Sequence, residues 1–149
     1  VPFILDPAPA RPLSSALLSR VNILKPNEIE AQTLTGLSVK DPDSAEKAAK
    51  ALLSQGVKQV LITLGDRGFL FEDKGSAEYI KPYKVKAVDS TAAGDAFTGA
   101  LALGIAEGKS LRDAALFANA AAAISVTRLG AQSSMPTKSE VDEFIKTNR

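Results

Sequence analysis

The pattern of apolar and polar positions divides the chain into short extended runs separated by helices. Phe3 to Asp6 is an apolar run closed by a carboxylate, and Val21 to Leu24 is another. Pro7, Pro9 and Pro12 keep the segment after the first run extended and irregular, because each fixes φ and lacks an N–H. A short helix over Ser14 to Arg20 places Leu13, Leu17 and Leu18 on one side. Asn27 followed by Glu30 predicts a helix N-cap with a capping box. That helix carries Ile29, Ala31 and Leu34 and ends near Gly36. From Asp41 to Gln55, Ala45, Ala48, Ala49, Leu52 and Leu53 recur at helical spacing. Asp41 suits its cap, Pro42 its first position and Gly56 the position past its end.

Val57 to Leu64 is β-branched and apolar, a central strand. It runs into Thr63-Leu64-Gly65-Asp66-Arg67-Gly68, after which Phe69-Leu70-Phe71 resumes an extended pattern. Two glycines and an Asp suffice for a plain hairpin turn, and a loop laid against a nucleotide has the same composition. Glu72 to Ser76 reads as a turn, and Glu78 to Lys86 as a strand pair broken by Pro82. Ser110 starts an Ala-rich helix with Asp113 at the box position, and that helix contains one amide, Asn119. Thr127 to Ser134 is irregular, either a connector or a ring of carbonyls and hydroxyls able to surround a cation. Thr137 with Glu140 caps a last helix that buries Val141, Phe144 and Ile145. Strands alternating with helices predict a layered α/β fold with a mainly parallel sheet flanked by helices.

The stretch Val88 to Gly99 organises the rest. It reads as a strand end, then a turn of small residues, then a helix from Gly94 to about Ala106. Such a turn leaves N–H groups unpaired at the helix start, where they and the helix dipole favour an anion. Asp95 sits on the first turn. Its carboxylate either complements the dipole or takes a proton from a hydroxyl attacking a bound phosphate.

Composition narrows the chemistry. The 149 residues carry 18 Lys and Arg against 17 Asp and Glu, so nothing points to a nucleic-acid surface or a polybasic anchor. Length argues for one domain. With no Cys and no His, disulfides, thiolate or imidazole metal sites and His bases drop out. Acid–base work falls to carboxylates, Lys or Tyr, and a metal would be a hard, oxygen-bound cation such as Mg²⁺. No apolar run is long enough to span a membrane, and a cytoplasmic location is the expectation. Val1-Pro2-Phe3-Ile4-Leu5 opens inside a core-like strand, which reads as part of a longer chain. The P-loop and G-x-G-x-x-G patterns are absent.

Val88-Asp89-Ser90-Thr91-Ala92-Ala93-Gly94-Asp95-Ala96-Phe97 resembles the second signature of the PfkB carbohydrate kinases. Thr63 to Gly68 and Asn27-Glu28-Ile29-Glu30 lie where that family has its nucleotide loop and N-x-x-E motif. Asp6 to Ala10 and Gly130 to Pro136 narrow the likeness to the C-terminal half of the ribokinase branch. The resemblance implies a ribokinase-like, Rossmann-like fold and ATP-dependent phosphorylation of a sugar hydroxyl, D-ribose to D-ribose 5-phosphate foremost. Mg²⁺ and a monovalent cation such as K⁺ would assist. Asp95 would be the base, and Ala92, Ala93 and Gly94 would supply N–H groups to the transferring phosphoryl. Asn27 and Thr63, Leu64, Gly65, Asp66, Arg67 and Gly68 would contact ATP, as would Gly94 and Asp95, with Asn119 by the adenine. Glu30 would help place Mg²⁺ through water. Asp89, Thr91, Ser125, Arg128 and Gly130, mainly through carbonyls, and the Ser134 hydroxyl would hold the monovalent ion.

The family's N-terminal half, with most sugar contacts and the lid, has no counterpart in these residues, and the intact enzyme would be a homodimer through that lid. Ser90 and Thr91 stand where many ribokinases have Thr and Ile, a mild change if Thr91 ligates through its carbonyl. The alternatives are a catalytically silent nucleotide-binding or interaction module, or a related kinase acting on fructose or a nucleoside.

Overall fold

In the computed structural model, which describes residues 2–73 and 75–148, the chain falls into two units that meet in sequence between Lys81 and Pro82. The first unit holds a five-stranded sheet in the order β1 (Ile4–Leu5), β2 (Ile23–Leu24), β3 (Gln59–Thr63), β4 (Phe69–Asp73) and β5 (Ser76–Ile80). β1, β2 and β3 are parallel, with Leu5 beside Leu24 and Leu24 beside Val60. β4 and β5 return antiparallel, with Ile62 opposite Leu70 and Leu70 opposite Tyr79. The sheet is therefore mixed: its parallel part is joined by helices, as the alternating pattern requires, and a β4–β5 hairpin extends it.

Three helices join the parallel strands: α1 (Ser15–Leu18), α2 (Glu28–Thr35) and α3 (Pro42–Ser54). Each begins where a polar side chain takes up an orphan N–H. Ser14 accepts from Leu17, Asn27 from Glu30 and Asp41 from Ser44. Gly36 ends α2 in the left-handed region at φ +73°, where a side chain is disfavoured. Leu18, Ala31 and the Ala45, Ala48, Ala49, Leu52 stripe pack with Leu24, Val60, Ile62 and Leu70 in one fully buried core. Ile29 does not join it. Its side chain is 77 % exposed, because its position turns away from the stripe that Ala31 and Leu34 present.

The second unit is helical: α4 (Ala93–Ala106), α5 (Leu111–Ser125) and α6 (Lys138–Thr147). α4 and α5 form a close antiparallel pair around Gly104, where a Cβ would stand 2.8 Å from the Ala114 Cβ. Phe117, Ala121, Ile124 and Val141 form the apolar seam with Phe144, whose ring meets Tyr83 edge to face at 5.0 Å. Thr137 and Glu140 complete the capping box of α6. The strand expected over Glu78 to Lys86 stops at Ile80, and no strand leads into α4. Pro82 has no N–H to offer a ladder, and the N–H groups of Val88 and Asp89 both turn to the Val126 carbonyl. Among the described residues, no helix is long and apolar enough to cross a membrane.

Candidate active site

In the first unit, two segments singled out by sequence lie side by side. The Thr63 N–H donates to the Pro26 carbonyl at 3.1 Å, and Asn27 and Thr63 form a parallel bridge beyond the end of β2. This is the carboxyl end of the parallel strands, where open α/β sheets bind ligands. Asn27 accepts from the Glu30 N–H at 2.9 Å, and Glu30 Oε2 accepts from the Asn27 N–H at 2.8 Å. The box thus uses one polar atom of each side chain. The Asn27 amide nitrogen and Glu30 Oε1 keep no partner among the described residues, although Glu30 is only 8 % exposed.

The Thr63–Gly68 segment is a tight loop closed by Leu64 N–H to the Gly68 carbonyl at 2.8 Å, with a 3₁₀ turn over Gly65–Arg67. Leu64 is fully buried and anchors it, while Gly65, Asp66 and Arg67 are exposed. Gly68 at φ +91°, ψ −140° occupies a region open essentially to glycine alone. The hairpin reading of this segment holds. It is the turn of an antiparallel hairpin, and it presents exposed backbone beside Asn27.

In the second unit, Ala92 caps α4 at φ +60°, ψ 14°, without a side-chain hydrogen bond. An alanine held there carries a backbone cost of about 1–2 kcal/mol. Ala93 N–H turns back to Ser90 O at 3.2 Å, while those of Gly94 and Asp95 have no acceptor among the described residues. A Cβ on Gly94 would meet nothing within 4 Å, so that side of the turn is open. Asp95 is exposed on the first turn beside these donors. Asn119 is buried within α5.

Much of the predicted ion-binding set forms one linked cluster. Asp89 accepts from the Thr91 N–H at 2.9 Å and, with its other oxygen, from the Gly130 N–H at 3.0 Å. The Thr91 hydroxyl and N–H, then the Gly130 N–H, hold its carboxyl below the usual carboxylate range. With both oxygens so used, Asp89 ties the α4 approach to the loop after α5. The Ser125 carbonyl accepts from Arg128 N–H at 3.1 Å, and the buried Ser134 hydroxyl donates to Ala131 O at 2.7 Å, which leaves its lone pairs unused. Gly130 sits at φ +87°, and a Cβ there would lie 2.5 Å from Ser133 Oγ. The Arg128 side chain turns away to Glu140 at 2.6 Å. Among the described residues, no three His, Cys, Asp or Glu side chains gather as a metal cage.

Three contacts around these segments were missed by sequence reading. Arg67 pairs with Glu28, the Tyr79 hydroxyl donates to the Arg67 carbonyl at 2.6 Å, and buried Lys25 pairs with Asp6 at 3.1 Å. None leaves a local signal, because the partners are far apart along the chain.

The sequence profile of the pfkB family carbohydrate kinases matches residues 1–138, and the chain belongs to that family. It is 49 % identical to the ribokinase of Haemophilus influenzae over 98 % of this chain and 48 % of that protein. Arabidopsis thaliana ribokinase, solved with ribose and ATP, superposes with a TM-score of 0.92 at 37 % identity, over 98 % of this chain and 48 % of that one. An E. coli structure described as a ribokinase II in complex with ATP and Mg²⁺ gives 0.78 at 30 % identity, over 89 % and 42 %. The chain spans about half the length of these relatives.

Proposed function

We propose that this chain is the nucleotide-binding, C-terminal portion of a cytoplasmic sugar kinase that transfers the γ-phosphoryl of ATP to a sugar hydroxyl, converting D-ribose to D-ribose 5-phosphate. In this reading the sugar contacts and the lid, through which the enzyme dimerises, come from residues outside these 149. The observation that carries it is the start of α4: open N–H groups on Gly94 and Asp95, with a carboxylate on the same turn.

The chemistry follows from that arrangement. The Gly94 and Asp95 N–H groups, with Ala92 and Ala93 shaping the turn, bind the transferring phosphoryl where negative charge is favoured. Asp95 accepts the proton of the attacking hydroxyl as the new O–P bond forms and the bond to the ADP oxygen breaks. Asn27 and the Thr63–Gly68 backbone hold ATP, Asn27 through its unused amide N–H, and Asn119 stands by the adenine. The unused Glu30 oxygen suits Mg²⁺ bound through water, since no protein cage is at hand among the described residues. The carbonyls of Asp89, Thr91, Ser125, Arg128 and Gly130, with the Ser134 lone pairs, suit a monovalent ion such as K⁺. Bound there, these cations would neutralise phosphate charge and steady the α4 turn.

Support comes from the family match, and from the ribose and ATP bound by the Arabidopsis relative. The test is a chimera in which this chain replaces the matching half of the Haemophilus influenzae ribokinase. It should release ADP in a ribose-dependent manner, and Asp95→Asn should lower kcat by about 10²-fold or more with little change in ATP affinity. A folded chimera that ignores ribose, or an Asp95→Asn variant with normal turnover, would refute the assignment.

A further inference from the structure

The resemblance puts Arg67 among the nucleotide contacts, but its guanidinium is already engaged. One terminal nitrogen donates to Glu28 Oε1 and the other to the Lys40 carbonyl. Its own carbonyl accepts from the Tyr79 hydroxyl at 2.6 Å. One side chain thereby joins the start of α2, the link between α2 and α3, and the loop after β3. Glu28 directly follows Asn27, and the Thr63 N–H is bonded to Pro26 on the other side of it. The two nucleotide segments are thus tied at both ends of their contact.

Stability does not explain this arrangement. Arg67 and Glu28 are 45 % and 27 % exposed, and exposed pairs contribute little because water screens them and two long side chains must be ordered. The planar fork suits a different task. It satisfies a carboxylate and a carbonyl in one fixed geometry, which a lysine cannot reproduce. The loop it holds is short and contains two glycines at positive φ, Gly65 and Gly68, so its backbone is intrinsically permissive.

Resting on the nucleotide reading above, we propose that Glu28, Arg67 and Tyr79 are positioning residues for ATP: they pre-set the Gly65–Gly68 backbone against the Asn27 turn before nucleotide arrives. Arg67 acts through the loop backbone, and its guanidinium does not leave Glu28 for a phosphate. Ordering the loop in advance removes a cost that binding would otherwise carry.

The test uses the 149-residue chain with Mg-ATP followed by NMR titration, and hydrogen exchange of the ATP-free chain. Glu28→Gln and Arg67→Met should each weaken Mg-ATP binding by about threefold to tenfold, the worth of one or two ordered side chains. Melting temperature should stay within about 2 °C, and the amides of residues 65–68 should exchange faster. The double variant should be no weaker than the weaker single, and Arg67→Lys should fall between. A guanidinium that instead grips phosphate predicts loss with Arg67→Met but none with Glu28→Gln, and that pattern would overturn the proposal. So would unchanged exchange at 65–68 in both singles. If the unsubstituted chain binds no ATP, the nucleotide reading fails, while exchange in the ATP-free chain still decides whether the clamp orders the loop.

Discussion

Asn27 offers a substitution series that separates holding a helix from holding a ligand. Its Oδ1 accepts the Glu30 N–H at 2.9 Å, and its amide nitrogen is unused among the described residues. Asn27→Ala removes the acceptor and leaves an orphan N–H at the start of α2, which costs about 1 kcal/mol. For a chain of this size that lowers the melting temperature by about 2–4 °C. Asn27→Asp keeps an equivalent acceptor, so stability should stay within about 0.5 kcal/mol. The same change replaces an N–H donor with a carboxylate where a phosphate is expected. Loss of a charge-assisted hydrogen bond is worth about 1.5–3 kcal/mol, or tenfold to a hundredfold in affinity. Calorimetric melting and NMR titration with Mg-ATP provide the two readouts. An Asn27→Asp chain that binds Mg-ATP as tightly as the unsubstituted one would reduce Asn27 to a cap. An Asn27→Ala chain that melts normally would refute the capping arithmetic.

Three further outcomes are expected. Gly94→Val should leave the melting temperature nearly unchanged, since its Cβ meets no protein atom within 4 Å, yet weaken Mg-ATP binding by crowding the open N–H groups; unaltered affinity would remove the anion site. Gly104→Ala should destabilise the α4–α5 pair by about 1–3 kcal/mol, less up to about 1 kcal/mol regained in helix propensity, because the added carbon would sit 2.8 Å from Ala114 Cβ; thermal melting reads this directly. The Arg128 side chain, then the Thr137 N–H and hydroxyl, lower the Glu140 carboxyl to about 2. Its folded value lies below its ordinary 4.5, so its contribution is complete above that value and disappears as pH falls through about 2. A circular-dichroism titration should show α6 weakening over that window, and Glu140→Gln should flatten it.

Much of the local structure was legible because its causes are local. The caps at Asn27, Asp41, Ser110 and Thr137 all take up the N–H groups expected of them. The Ala45 to Leu52 stripe lies on the core as its spacing requires. Of the strand pair expected over Glu78 to Lys86 and broken by Pro82, the part up to Ile80 forms as β5 and the part after Pro82 does not, and further on the Val88 and Asp89 donors find the distant Val126 carbonyl instead of a ladder partner. Ile29 was counted with the apolar face of α2, yet it turns to solvent.

For the candidate site, the sequence by itself determined the residue types and their local frames. Absence of His and Cys restricted acid–base work to carboxylates, Lys or Tyr, small residues marked the turn before α4, and Asp95 fell on its first turn. These follow from side-chain chemistry and helical spacing, which act over a few residues. Tertiary structure alone decided what meets across long separations. It put Asn27 beside Thr63, clamped Arg67 to Glu28, and bonded Asp89 to Gly130. It also left Ala92 in the left-handed region, a conformation an alanine does not favour unaided, just after a segment tied down by the bonds of Val88 and Asp89 to Val126 and of Asp89 to Gly130. Such contacts depend on the packing of whole elements, which brings distant donors and acceptors together only after the core has formed.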